Sequence, residues 1–141
     1  MTPPFKADPA FDPGSVAVCD WPLCQVRLQD DARWPWLILL PRIDHAVELT
    51  DLSRKDHGRL MGEIVTVSMA VRRLGEFLER PVEKLNVAAL GNVTPQLHVH
   101  VIGRRSDDPA WPRPVWGEGV AQPYRGPEVP GLIEALQDWL A

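Results

Sequence analysis

The alternation Gln96-Leu97-His98-Val99-His100-Val101-Ile102 constrains this chain more than any other stretch. In a β-strand, successive side chains point to opposite faces of the sheet. The pattern therefore predicts a half-buried strand running to about Ile102, with Leu97, Val99 and Val101 on the face that meets a core. Gln96, His98 and His100 would share the other face. Two of the chain's four histidines then stand side by side.

The rest of the chain supplies partners for such a strand. Leu23 to Leu28 alternates and reads as a second half-buried strand. Trp36 to Leu40 is a short apolar run, ended by Pro41, that reads as a more deeply buried one. The polar turn Gln29–Arg33 between them predicts an antiparallel hairpin. Ser53, followed three residues later by Asp56, approximates a capping box and starts a helix over 53–79. Along it Leu60, Ile64, Val67, Val71, Leu74 and Leu78 recur at three- and four-residue steps, forming one apolar stripe. Leu85 to Leu90 predicts another strand, and Gly91 to Pro95 a loop with turn chemistry. Pro130 to Leu140 predicts a closing helix with Leu132, Ile133, Leu136 and Leu140 on one face.

This order predicts an α+β fold: a mainly antiparallel sheet, one long helix packed on a face, and a short C-terminal helix. A chain of 141 residues suits one domain over 1–141, with a core at roughly 20–105 and a tail and helix at 106–141. Its fifteen prolines cluster at 3–22 and 109–130, which predicts irregular or extended cover there, with Phe5 and Phe11 as anchors. The stretch from Gly103 to Pro127 has no clear period and is long for a structureless loop. It is expected to be functional or to wrap a partner subunit.

Charge and cysteine usage narrow the function classes. A net charge of −4 argues against a nucleic-acid polymer as partner, because such surfaces carry a basic stripe. It leaves room for a small anion held by backbone amides. The longest uncharged apolar stretch, Trp34 to Pro41, is far too short to span a bilayer, and no apolar run follows Lys6 to suggest a signal peptide. Cys19 and Cys24 have neither redox-motif spacing nor company for a zinc site, so reduced thiols and a cytoplasmic location are expected.

Two imidazoles on one strand face admit three readings. One ring attacks phosphorus or carbon while the other binds substrate; the pair ligates a metal with a third ligand from elsewhere; or both are structural. Histidine suits the first, since an unperturbed pKa near 6.5 leaves most of it neutral at pH 7. The flanks favour phosphate over a cation: Gly91-Asn92-Val93-Thr94 is a small-residue turn, and Asn86 adds an uncharged donor and acceptor. His57, in the first turn of the long helix, reads as solvated, and His45 as a loop residue.

The run Lys84-Leu-Asn-Val-Ala-Ala-Leu-Gly-Asn-Val-Thr-Pro-Gln-Leu-His-Val-His-Val-Ile-Gly-Arg104 resembles the signature of the histidine triad (HIT) superfamily, in which three histidines alternate with apolar residues after a glycine-containing phosphate loop. Leu37-Ile-Leu-Leu-Pro-Arg42, Glu48-Leu-Thr-Asp-Leu52 and the long helix are similar to the family's N-terminal half. The resemblance implies nucleotide hydrolysis or nucleotidyl transfer at an α-phosphate, through a nucleotidyl-histidine intermediate on His98. It implies that His100 hydrogen-bonds the phosphate and supports His98, that Gly91, Asn92, Val93 and Thr94 bind the phosphate, and that Asn86 contacts the nucleotide. It also implies a small-molecule nucleotide as partner, a homodimer whose sheets join, no required cofactor or metal, and Mg2+ brought only by a polyphosphate substrate.

The chain departs from the family pattern twice. Gln96 stands where the first histidine is expected, and Trp36 about where a further, orienting histidine often lies. Gln keeps a donor and an acceptor but carries no proton between pH 5 and 8. The alternative is therefore a nucleotide-binding protein of weakened catalysis. Trp111 and Trp116 are candidates for stacking on a base or for plugging a loop. Arg104 is a candidate for a phosphate contact or a salt bridge.

Overall fold

The computed structural model describes residues 4–141, so Pro3 of the first proline cluster lies outside the described residues. Five strands, β1 (Ser15–Asp20), β2 (Cys24–Gln29), β3 (Trp36–Pro41), β4 (Lys84–Ala88) and β5 (Val99–Arg104), form one antiparallel sheet in the order β1-β2-β3-β5-β4. Two helices, α1 (Arg54–Phe77) and α2 (Val129–Leu140), complete the α+β architecture.

Side-chain alternation explains which face each helix finds. Val26, Leu28, Leu37, Leu39, Leu97, Val99 and Val101 pack with Leu60, Val67, Val71 and Leu74 of α1 and with Leu132, Leu136 and Leu140 of α2. Ser53 caps α1 by accepting a hydrogen bond from the Asp56 amide (3.1 Å), which satisfies a donor the first turn would otherwise leave unmatched. At its other end the chain reverses through Glu79, at φ 59°.

Two expectations need correction. The first proline-rich region contains β1, because Pro13 and Pro22 flank a proline-free run, Ser15–Asp20, that pairs with β2 through a register shift between Ala17 and Cys19. The histidine strand starts at Val99. Gln96 and His98 therefore precede the ladder, and the shared face extends only to His98 and His100. The segment after Gly103, expected to be functional or to wrap a partner subunit, folds back on this chain's own sheet. Ala110, Val115 and Trp116 join Phe11, Trp34, Trp36, Ile38, Leu40 and Ile102 in a second apolar cluster. Further on, the Tyr124 amide donates to Asp30 Oδ1 at 2.8 Å.

Asp108 holds that return segment in place. Its carboxylate accepts from buried Arg104 (Nε 2.7 Å, Nη2 3.0 Å) and from the amides of Arg105, Ala110 and Trp111 at 2.8–3.2 Å. Burial works to raise its pKa, but the Arg104 hydrogen bond and the amides hold the carboxyl down at about 2. Arg104 is thus committed to an internal ion pair.

Candidate active site

His98 and His100 reach the sheet face opposite the helices because Leu97, Val99 and Val101 are taken by the core. The Leu97 amide donates to the Ala46 carbonyl (2.9 Å), pinning the peptide just ahead of His98. On the other side of that peptide, His98 Nδ1 lies 2.7 Å from the Gln96 carbonyl oxygen. A carbonyl only accepts, so Nδ1 carries the proton and donates it. Nε2 is left with the lone pair.

His100 has the opposite arrangement. Trp36 Nε1 donates to its Nδ1 at 3.0 Å, so any proton on the neutral ring sits at Nε2. Four rings run in series, each edge-on to the next: Phe11 to His98 at 4.8 Å, His98 to His100 at 4.9 Å, and His100 to Trp116 at 5.0 Å between centroids. Burial, then the neighbouring His98, lower the His100 pKa to about 4, against the raising effect of the Leu90 carbonyl.

That depression has a measurable sign. An unfolded chain protonates His100 near pH 6.5 and the folded one near 4. Between those values the unfolded state holds the extra proton, so stability falls as pH drops through the window, by about 3 kcal/mol from this group. In an NMR titration the His100 ring should stay neutral to below pH 5. Trp36→Phe frees Nδ1 and should raise the midpoint by about a unit, because the lost donor had favoured the neutral form. A wild-type midpoint near 6.5 would contradict this.

Both histidines line a cleft of about 420 Å³ with Gly91, Asn92, Val93 and Thr94. A Cβ on Gly91 would lie 3.2 Å from His98 Cε1 and 3.1 Å from the Thr94 carbonyl, so glycine lets this loop close onto the ring. No residue lining the cleft is charged. A buried cation lies behind Ser15: Arg27 Nε donates to Ser15 Oγ at 2.8 Å, and Nη2 meets Asp12 at 3.1 Å. Such a cleft can hold an anion by neutral donors and present it to one unprotonated ring nitrogen.

Residues 13–107 match the family model described as HIT domain. The chain belongs to the HIT family. Solved histidine triad proteins are similar along nearly the whole chain. One from Bradyrhizobium japonicum is 42% identical over 99% of this chain and 100% of its own, with a TM-score of 0.87. One from Sinorhizobium meliloti is 38% identical over 95% and 96%, with a TM-score of 0.84. A third, from Marinobacter aquaeolei, is 36% identical over 98% and 97%, with a TM-score of 0.87. None of the curated proteins matches the chain.

In this HIT protein the fold brings together His98, His100 and the Gly91–Thr94 loop, and leaves two expected site residues elsewhere. Asn86 lies on β4 with its Oδ1 accepting from Arg104 Nη1 (2.9 Å), and it does not line the cleft. The Gln96 side chain turns away to accept from the Asp8 amide at 2.7 Å. Trp116 lines the cleft, whereas Trp111 sits beneath the Arg104 guanidinium, 5.6 Å from its ring centre. His45 and His57 are exposed; His57 Nε2 lies 2.6 Å from the Leu49 carbonyl.

Sequence reasoning missed Ser15 and Gln29 as cleft residues and saw Phe11 only as an anchor. Nothing local marks them, since they arrive from β1, β2 and the segment before β1. Among the described residues, no three His, Cys, Asp or Glu side chains converge to hold a metal. No helix among them is long and apolar enough to cross a membrane.

Proposed function

We propose that this HIT protein hydrolyses or transfers a nucleotidyl group through a covalent intermediate on His98 Nε2. The observation that carries the reading is the 2.7 Å contact between His98 Nδ1 and the Gln96 carbonyl, which places the lone pair on the remaining nitrogen of a cleft-lining ring. Attack on an α-phosphate forms the Nε2–P bond as the bond from phosphorus to the leaving group breaks. Water or another acceptor then attacks phosphorus, and the P–N bond breaks. The Gly91–Thr94 loop supplies neutral donors to the phosphate oxygens, and His100 Nε2–H joins them by exchanging the Leu90 carbonyl for a phosphate oxygen, electrostatic stabilisation that needs no metal ligand from the protein.

Two features narrow the substrate. Gln96 stands at the first triad position and carries no proton, which favours leaving groups of low basicity. A cleft lined by uncharged residues suits a mononucleotide with one charge at its α-phosphate better than a dinucleoside polyphosphate, whose further charges would lack cationic partners. The test is incubation with an α-labelled nucleotide ester, denaturation, and recovery of label on protein that is acid-labile and base-stable. Absence of such label during turnover would overturn the intermediate.

The second reading, a nucleotide-binding protein of weakened catalysis, is favoured by the Gln96 side chain being engaged with Asp8. It predicts saturable binding with no labelled histidine.

A homodimer is part of the proposal. Met61, Val65 and Met69 recur every four residues on α1 and are all about 60% exposed, and β4 is an edge strand whose outer backbone groups lack a sheet partner. Val65→Asp should shift the mass in light scattering from two chains to one. A single-chain mass for the wild type at micromolar concentration would refute the dimer.

A further inference from the structure

We propose that Phe11 is a positioning residue for His98, held over it by a latch in which Gln96 clasps the segment preceding β1. The proposal rests on the reading of His98 as nucleophile.

That segment is tied at both ends. Upstream, the Asp8 amide donates to Gln96 Oε1 at 2.7 Å, across 88 positions of sequence. Asp8 Oδ1 then caps the single turn Pro9–Phe11 by accepting from the Ala10 amide at 2.9 Å, and the Phe11 amide closes on the Asp8 carbonyl at 3.0 Å. Downstream, Ser15 Oγ donates to the Phe11 carbonyl at 2.6 Å while accepting from buried Arg27. Phe11 is thereby buried with its ring 4.8 Å from that of His98, at an interplanar angle of 79°.

The geometry separates two tasks. The Gln96–Leu97 peptide is fixed from behind by Ala46, so the protonated state of His98 Nδ1 does not depend on the latch. A ring held by one hydrogen bond can still swing about it. The rings of His100 and Phe11, 4.9 and 4.8 Å away, limit that swing. The direction of Nε2, and with it in-line attack, is therefore set partly by Phe11.

This explains why glutamine serves at position 96. Its amide oxygen accepts without titrating between pH 5 and 8, whereas a histidine there would lose its acceptor on protonation near its ordinary pKa. The first triad position has become a clasp.

The test uses the full chain without nucleotide, followed by turnover of an α-phosphate ester. Gln96→Met keeps the reach and removes the acceptor; Gln96→Glu keeps both. Amide exchange at Asp8 should accelerate at least about tenfold in Gln96→Met and stay slow in Gln96→Glu. The ring-current shift that Phe11 imposes on the His98 ring protons should vanish in Phe11→Leu and in Gln96→Met, and return in Gln96→Glu. In the first two variants kcat should fall about 10- to 100-fold, the scale of a 1 Å misplacement, with KM changed much less and the thermal midpoint within a few degrees.

Unchanged Asp8 exchange in Gln96→Met, or an unchanged His98 ring shift in either variant, would overturn the latch. Altered shifts with wild-type kcat would overturn the positioning role. A wild type that turns over without a labelled histidine would refute the nucleophile instead, while the exchange and ring-shift results still report on the clasp.

Discussion

His98→Ala should lose nucleotidyl turnover by about 10³-fold or more, because it removes the group on which the proposed intermediate forms. Nucleotide affinity should change by less than about tenfold. The Gly91–Thr94 loop, Phe11 and Trp116 still line the cleft, and the loss of one small ring leaves them in place. The phosphate-linked label should vanish from the protein together with turnover. His98 is the decisive position, since its Nδ1 is engaged with Gln96 and its other nitrogen is not. His100 differs: Trp36 donates to its Nδ1 and burial holds its pKa near 4, so its ring is neutral at pH 7 and has no free lone pair with which to attack. Turnover within tenfold of wild type in His98→Ala would end the assignment.

Asp108→Ala should cost about 3–5 kcal/mol, the largest stability effect of a single truncation outside the apolar core. Breaking a buried ion pair from one side leaves the other charge uncompensated, and Arg104 is 1% exposed. The change also strands the amides of Arg105 and Ala110, while the Trp111 amide keeps only the Asp108 carbonyl at 3.3 Å. Against a typical total of 5–15 kcal/mol, the urea midpoint should fall by about a fifth or more with an unchanged slope. Removing both partners, in Arg104→Met with Asp108→Ala, should recover part of the loss. A double variant no more stable than the single one would show that the amides, not the guanidinium, dominate.

Acid provides an independent check on Asp108. A carboxyl held at about 2 contributes stability that is full above the unfolded value near 3.9 and is lost as pH falls through 2, on the order of 2 kcal/mol. The same carboxylate anchors the segment that carries Trp116 to the cleft, so Asp108→Ala should also raise KM.

Local pattern was enough for much of the fold. The period-2 alternation around His98 and His100 and the three-to-four spacing from Leu60 to Leu74 each leave only one way to bury their apolar side chains. Both elements therefore lie where their sequences place them, with α1 packed on the face opposite the histidines. The Ser53 cap was legible for the same reason: it bonds an amide three residues away. β1 was obscured because its flanking prolines dominate the composition, although proline excludes only the positions it occupies and leaves Ser15–Asp20 free to pair.

Side-chain chemistry at a distance was not legible. Gln96 and Asn86 sit at positions a pattern marks as functional, yet their partners, Asp8 and Arg104, lie 88 and 18 residues away. No local period encodes such a meeting.

By itself, then, the amino-acid order determined four of the five strands, both helices, and that two imidazoles share a face, because these follow from backbone geometry and burial within one short segment. Tertiary structure alone decided that Trp36 donates to the ring of His100 and that Phe11 closes on the ring of His98. Those outcomes depend on hydrogen bonds and ring contacts between segments far apart in the chain, and folding is what brings such segments within 3–5 Å of one another.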